Sequence, residues 1–261
     1  VTGCEFGDIS GSGIYAGTPY RDDACTAAGQ SSSVDMCSGI TISDNYLHDI
    51  GIDYNSCVPI STIHIYGAVI SNNEIFNTTY SGIHDESGIG TDRTGHEIKN
   101  NYIHRILNGE LFDGGSVYVT GASGGAGTPW NVIRGNYIEN QLAGYAALYT
   151  DNRSSGWRLN DNVVDFSMVS TWGEKTPLQW LLNIGSRDIY CDNNYTTVER
   201  KNLISDFWLD SEHTQESLIT NTHVFDSAAM PDEAKKIAAA AGLVENYDAL
   251  LADRYQITLS T

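Results

Sequence analysis

One short phrase, apolar-x-x-Asn-x-apolar, returns along this chain at a spacing that few folds tolerate. It reads Ile42-Ser-Asp-Asn45-Tyr-Leu47, Ile70-Ser-Asn-Asn73-Glu-Ile75, Ile98-Lys-Asn-Asn101-Tyr-Ile103, Ile133-Arg-Gly-Asn136-Tyr-Ile138 and Leu159-Asn-Asp-Asn162-Val-Val164. A looser copy follows at Tyr190-Cys-Asp-Asn193-Asn-Tyr195. Successive Asn residues are 28, 28, 35, 26 and 31 positions apart. Each copy is expected to be a short strand with an inward apolar residue on either side of a tight bend. Asn suits the bend because it tolerates left-handed backbone and can hydrogen-bond its own main chain. Stacked turn over turn, the Asn side chains form a ladder, as identical amides do in cross-β arrays. Three short strands per repeat, joined by Gly and Asn corners, predict an all-β solenoid, a right-handed parallel β-helix. A leucine-rich repeat would need a Leu framework and a 20–29-residue period, and neither is present. A β-sandwich would not repeat one phrase at this spacing.

A second phrase runs in phase with the first. Gly82-Ile83-His84-Asp85-Glu86 aligns with Ser116-Val117-Tyr118-Val119-Thr120 and Ala147-Leu148-Tyr149-Thr150-Asp151, at steps of 34 and 31 residues. His84, Tyr118 and Tyr149 are therefore expected to stack in one outward column, about 4.8 Å apart. Such a column suits a sugar-binding cleft, and it also suits a plain aromatic ladder that stabilises the sheet.

The two ends of the sequence read differently. Val1-Thr-Gly-Cys4-Glu-Phe6 resembles a coil with Cys4 in the Asn slot. An uncapped coil exposes a sheet edge, so the expectation is that more N-terminal β-helix, or a partner chain, covers it. Residues 1–228 read as coils with inserted loops, and 229–261 as a short C-terminal α-helical cap segment. In that segment Pro231-Asp-Glu-Ala234 opens a helix that runs to Ala241 and stops at Gly242, with another turn at Tyr247 to Leu250.

Composition narrows the partners. Lys and Arg number 14 against 33 Asp and Glu, a formal charge of −19, although only 18% of residues are charged. The acidity comes from scarce Lys and Arg. Such a surface repels phosphate backbones, which argues against nucleic acid. The longest apolar run, Ile237 to Leu243, is far short of the ~20 residues of a membrane span. The five cysteines form no CxxC pair, so zinc has no support. Cys25 and Cys37 bracket a small-residue loop and are read either as a disulfide or as reduced thiols.

Function in such a scaffold belongs to loops between strands. The candidates are Gly17–Asp35, Gly121–Trp130 and Ser170–Gln179, with Trp130, Trp172 and Trp180 in or beside them. Trp180 is expected to contact sugar through its ring and its NH. The carboxylates are a sharper lead. Asn108-Gly-Glu110-Leu-Phe-Asp113-Gly-Gly115 places Asp113 where two glycines allow close approach, and Tyr149-Thr-Asp151 ends a strand one coil later. Two carboxylates facing a cleft are the minimum for glycoside hydrolysis, one as acid and one as base or nucleophile. Both are also residues that cap turns.

The stretches Asp113-Gly-Gly-Ser-Val-Tyr118, Ile133-Arg-Gly-Asn136-Tyr-Ile138 and Leu148-Tyr-Thr-Asp151-Asn-Arg-Ser-Ser155 resemble the right-handed parallel β-helix glycoside hydrolases. That group includes xylosidases, fucosidases and lacto-N-biosidases, and the similarity runs from about Thr41 onward. Pro231–Leu250 resembles the tail of such proteins. One departure is Asn152-Arg153, where related sequences often read Asp-Gly. The resemblance implies a secreted or cell-surface enzyme that cleaves a neutral oligo- or polysaccharide. Asp113 and Asp151 would be the catalytic pair. His84, Tyr118, Tyr149 and Trp180 would hold sugar, and Glu86 or Glu110 would orient it.

Register both favours and strains this pair. Asp113 lies 12 residues past Asn101 and Asp151 lies 15 past Asn136, nearly one phase. Counted from the Tyr column they are seven positions apart, roughly 23 Å if extended, so a bend near Asp113 is needed. Glu86 aligns with Asp151 two coils away, roughly 10 Å, and is the reserve partner. A lyase or epimerase acting on uronates would need a base and a cation, and Lys and Arg are spread too thinly to suggest a basic cleft. A non-catalytic glycan-binding or adhesin module would need no paired carboxylates. No cofactor motif occurs, and the Asp-rich loops leave room for a structural Ca²⁺.

Overall fold

In the computed structural model the described residues are 1–17, 37–89, 95–108, 111–122, 129–151, 154–166, 178–182, 186–197, 202–204 and 218–244. Among them, short strands alternate between three sheets, and each strand pairs in parallel with the strand three places further along the chain. Thr41–Ser43 in the third sheet leads to Tyr46–Ile50 in the first and Ile60–Ile63 in the second, and then Val69–Ser71 returns to the third. The sheets hold eight, seven and seven strands. The result is an all-β, solenoid-like fold with one short helix.

The interior is built from rows of like residues. Ile42, Ile70, Ile98, Ile133 and Leu159 occupy one register row, and all are fully buried. Cys191 continues the row beside Leu159, a buried thiol serving as a small hydrophobe, and Ile219 follows it. Leu47, Ile75, Ile103, Ile138 and Val164 make a second row, and Ile60, Ile83, Val117 and Leu148 a third. Parallel strands permit this because every coil repeats the same inward and outward alternation.

Between the first two rows runs the Asn ladder. Asn73 Nδ2 donates to Asn101 Oδ1 at 2.9 Å and to the Ile42 carbonyl at 3.0 Å, while its backbone N–H donates to Asn101 Oδ1 at 3.0 Å. Asn45, Asn101, Asn136 and Asn162 repeat the amide and backbone contacts to the next ladder Asn. All are fully buried. The last described member is Asn194 rather than Asn193, so the sixth phrase reads Cys191-Asp-Asn-Asn194-Tyr195-Thr196, one residue later than expected. Cys4 joins through its backbone N–H to Asn45 Oδ1 at 3.0 Å, the slot foreseen for it.

The bend itself belongs to a different residue. Positive φ occurs at Asp44, Asn72, Asn100, Gly135, Asp161 and Asn193, each immediately before a ladder Asn. The ladder Asn supplies hydrogen bonds, and its predecessor supplies the left-handed turn. A second left-handed row, Asp8, Asp49, Asn77, Arg105 and Asn140, turns the chain near the end of the first five of the eight first-sheet strands.

The helix α1, Asp232–Ala240, starts with Asp232 and Glu233 in its first turn, and Gly242 follows at φ +89°. It lies along the side, with Ala234 buried against Val163, Tyr195 and Phe225. The Gly242 N–H donates to the Asn100 carbonyl at 2.8 Å, and Asn72 Nδ2 donates to the Gly242 carbonyl at 3.2 Å. Small and short-chain residues in the left-handed corner row leave room for the segment to run back over several coils. The turn expected at Tyr247 to Leu250 falls outside the described residues, as does Cys25, whereas Cys37 is an exposed free thiol and not a disulfide partner.

One ionisable pair interrupts the apolar interior. His96 Nδ1 stands 3.1 Å from Asp85 Oδ2, and both side chains are 1% exposed. Burial pushes the His96 imidazole down, but the Asp85 carboxylate outweighs this, so His96 titrates above its ordinary 6.5. The fold therefore holds this proton more tightly than the unfolded chain does.

Three outcomes follow from these arrangements. Asn101→Ala strands the buried donors of Asn73 and should lower stability by about 3 kcal/mol or more. Asn100→Gly, at the left-handed position beside it, should change stability by less than about 1 kcal/mol in the same urea titration. The His96 contribution is complete below the ordinary pKa and is lost as pH rises through the raised folded value. His96→Gln should therefore flatten the decline of Tm as pH rises above the ordinary 6.5.

Candidate functional site

The second sheet carries the outward column expected from the sequence. His84 pairs with Tyr118, and Tyr118 with Tyr149, in strands Ile83–Ile89, Val117–Ala122 and Ala146–Asp151. The rings stack, with centroids 5.1 and 4.8 Å apart and planes within 24° and 17° of parallel. Stacked rings cover one another's faces, so the column offers edges and hydroxyls rather than faces for a sugar. Tyr149 is only 2% exposed.

The hydroxyl edges hold the two carboxylates. Tyr118 Oη donates to Asp151 Oδ2 at 2.7 Å, and Tyr149 Oη donates to Asp113 Oδ1 at 3.3 Å. The bonds cross between coils, because each phenol holds the carboxylate that belongs to the other's coil. Asp113 and Asp151 thus share one cluster despite the seven-position offset in strand register.

The chain bends at Asp113, and Gly114 and Gly115 then carry it close between the neighbouring coils. A Cβ at Gly114 would lie 2.6 Å from Ser81 Oγ and 2.9 Å from Tyr80 Cε2. One at Gly115 would lie 2.4 Å from the Ala146 carbonyl oxygen and 3.1 Å from Tyr149 Cβ. Only glycine lets the chain pass so near both neighbouring coils. The bend is then fixed by Gly115 N–H donating to Ser81 Oγ at 3.3 Å and by Gln141 Oε1 accepting from the Ser116 N–H and hydroxyl at 3.0 and 2.7 Å. Tyr80 Oη donates to the Asp113 carbonyl at 2.5 Å.

Asp113 is exposed, whereas Asp151 is buried. Partial desolvation and then the Asp151 charge raise Asp113 above its ordinary pKa, and the Tyr149 hydrogen bond opposes them. Burial and the Asp113 and Asp151 charges push the Tyr80 phenol up to about 12. Tyr118 is driven higher by burial and by its bond to Asp151, so both phenols stay protonated as donors. Burial lowers His84 against the opposing charges of Glu86, Asp85 and Asp151, which favours a neutral imidazole.

The other expected residues are placed unevenly. Glu86 falls in the register row of Thr120 and Asp151, two coils from the latter, and is half-buried. Trp180, in strand Leu178–Leu182, pairs with Leu148 and so shares a register row with Ile83 and Val117, not with the His–Tyr column. Trp130 sits elsewhere, edge-on to Tyr190 and under the Arg158 guanidinium. Glu110, Trp172 and most of the three long loops lie outside the described residues. Among the described residues, no group of three or more His, Cys, Asp or Glu is placed to hold a metal ion.

Tyr80, Tyr145 and Gln141 join the site without having been singled out. Two of them carry a signal. Tyr80 and Tyr145 each stand three residues before a core residue of the second sheet, Ile83 and Leu148, and Gly114 holds the same place before Val117. They form a column interrupted by a glycine.

No protein-family model matches this chain, and no curated protein does. A solved structure described as a glycoside hydrolase is similar to it over 94% of this chain, with a TM-score of 0.58 and 19% identity. The match covers 35% of that chain, so this sequence spans about a third of its length. At that identity the likeness is one of fold.

The hydrogen-bond pattern sets the order of Asp113 titrations among variants. Carboxyl ¹³C NMR should find Asp113 above the ordinary 3.8 in the parent. It should titrate higher still in Tyr149→Phe, which loses a donor to the carboxylate, and lower in Asp151→Asn, which loses the neighbouring charge.

Proposed function

We propose that this chain is part of a right-handed parallel β-helix glycosidase that cleaves a neutral oligo- or polysaccharide outside the cell. Asp113 and Asp151 would act as its carboxylate pair. The observation that carries this reading is the crossed set of hydrogen bonds, Tyr118 to Asp151 and Tyr149 to Asp113. Two acidic groups are held at one place on the outer face of a sheet by donors that do not neutralise them. The solved structure of similar fold, itself a glycoside hydrolase, supports the same reading. A right-handed coil is what the general preference of parallel crossovers favours.

Roles follow from environment. Asp113 is the exposed member with the raised pKa, so it suits the general acid that protonates the leaving oxygen. Its neighbour's charge favours retention of that proton. Asp151, anchored by Tyr118, would serve as base or nucleophile. Tyr118 and Tyr149 become positioning residues, whose phenols fix the carboxylates rather than stack on sugar. His84 and Glu86 flank them in the earlier coil and would contact hydroxyls. The burial of Asp151 makes Glu86, in the same row and less enclosed, the alternative second carboxylate.

The test is hydrolysis of a panel of neutral oligosaccharides by the full chain and its variants. Asp113→Asn and Asp151→Asn should each reduce kcat by about a thousandfold or more while leaving Tm within a few degrees. Near-normal turnover by both variants refutes the pair. Loss in Glu86→Gln with activity retained in Asp151→Asn transfers the second role to Glu86.

A further inference from the structure

A groove runs between α1 and the left-handed corner row, away from the carboxylate pair. That pair belongs to the outer face of the second sheet, whereas this corner joins the third sheet to the first. The groove encloses about 340 Å³, at the small end of the ~300–1,000 Å³ usual for sites that take small molecules. Its floor is a glycine. Asn100, Gly135 and Asp161 follow one another in successive coils, each two residues past the core row of Ile98, Ile133 and Leu159. Gly135 carries no side chain, so Asn100 and Asp161 flank it from coils about 10 Å apart. The facing wall is one side of the helix, where Glu233, Lys236, Ile237 and Ala240 fall at i, i+3, i+4 and i+7. Gly242 fixes that wall to the corner through its bonds to Asn100 and Asn72.

The two walls differ in chemistry. On the corner side, Asn193 Nδ2 donates to Asp161 Oδ1 at 2.7 Å and Asn72 Nδ2 donates to the Gly242 carbonyl. The Asn100 carboxamide, by contrast, has no hydrogen bond among the described residues. It offers a donor and an acceptor, and the Asp161 carboxylate offers further lone pairs. On the helix side, Ile237 and Ala240 supply an aliphatic strip beside the Glu233–Lys236 pair. From this arrangement we infer that the groove is a second glycan-binding site, which takes neutral pyranoside units on a different side of the coil from the carboxylate pair. The choice of a sugar among neutral polyols rests on the glycosidase reading above.

Charge and shape set the ligand class. Lys236 Nζ donates to Glu233 Oε1 at 2.7 Å, so its charge is matched there, and Asp161 adds a further negative one. The Tyr195 phenol in the same groove is raised by burial, then by the charges of Glu233 and Asp161. An anionic ligand such as a uronate or a phosphate would be repelled by this field. A metal ion is no better served, because among the described residues no three His, Cys, Asp or Glu side chains converge. A flat aromatic ligand would want two apolar walls, and only one is apolar. A pyranose has a C–H face for the Ile237–Ala240 strip and hydroxyls at its edge for Asn100 and Asp161.

NMR titration followed at the Gly135 backbone N–H tests the groove directly. Neutral β-linked hexaoses of xylose, glucose and galactose, and hexagalacturonate, are added to the Asp113→Asn full chain, which keeps substrate intact. At least one neutral hexaose should shift the Gly135 signal to saturation. Asn100→Gly, which removes the carboxamide, and Ala240→Trp, which fills the groove from an exposed helix position, should each weaken that binding about tenfold or more while leaving Tm within a few degrees. No saturable shift with any neutral hexaose, unchanged affinity in either variant, or hexagalacturonate binding as tightly as the best neutral hexaose overturns the inference. Failure of the glycosidase reading looks different. Groove binding by a parent chain that releases no reducing sugar removes the reaction and leaves the groove standing, whereas release of reducing sugar with no shift at Gly135 removes the groove alone.

Discussion

The ladder of buried Asn amides is the constraint from which the rest of this structure follows. Each member donates to the next and to a main-chain carbonyl of an adjacent coil, so its polar atoms are satisfied where water does not reach. Such a chain of amides polarises along its length, each bond strengthening its neighbours. It also fixes spacing. A ladder amide one residue out of place would leave two coils with unpaired buried donors, so insertions are confined to the connections between strands. Where the Asn-to-Asn step lengthens from 28 to 35 residues, between Asn101 and Asn136, the ladder contacts are unchanged. Most of the added length falls in the connection between strands Tyr102–Ile106 and Val117–Ala122.

The sheets carry their chemistry by the same logic of repetition with local exceptions. Because every coil presents the same outward row, one substitution pattern, His84 then Tyr118 then Tyr149, yields a stack of rings. The site arises where that pattern is broken. Gly114 and Gly115 remove side chains at a point where the neighbouring coils press close. The strand entry then bends, and Asp113 is delivered to a phenol from the following coil. Repetition builds the wall, and its interruption places the acid.

Much of the fold was legible because its determinants are local and repeated. Ile42, Ile70, Ile98, Ile133 and Leu159 share a phrase that can be recognised without knowing any contact. The last copy was read one residue early because Asp192, Asn193 and Asn194 offer two Asn, and only the hydrogen bond to Asn162 chooses between them. The left-handed turn was credited to the ladder Asn because Asn has the propensity for it. The turn sits one residue earlier, where Asp, Asn and Gly alternate and no single letter repeats. The meeting of Asp113 with Asp151 was less legible, since it depends on a glycine-permitted approach between coils. Tyr80 and Tyr145 escaped notice because Gly114 interrupts their column. The aromatic column was legible because strand register gives the stacking distance, although register says nothing of what remains uncovered.

The crossed hydrogen bonds have a consequence for how such a site can be inherited. Each carboxylate accepts a phenol hydrogen bond from the other coil, Asp113 from Tyr149 and Asp151 from Tyr118. The arrangement is thus a property of a junction, not of a repeat. Copying a single coil elsewhere in a solenoid would carry an acid without its holder. Slipping an extra coil between these two would part both acids from their phenols in one event, even with every residue retained. A lineage of coils can lengthen or shorten freely at other places, but this boundary must pass from ancestor to descendant as an unbroken pair.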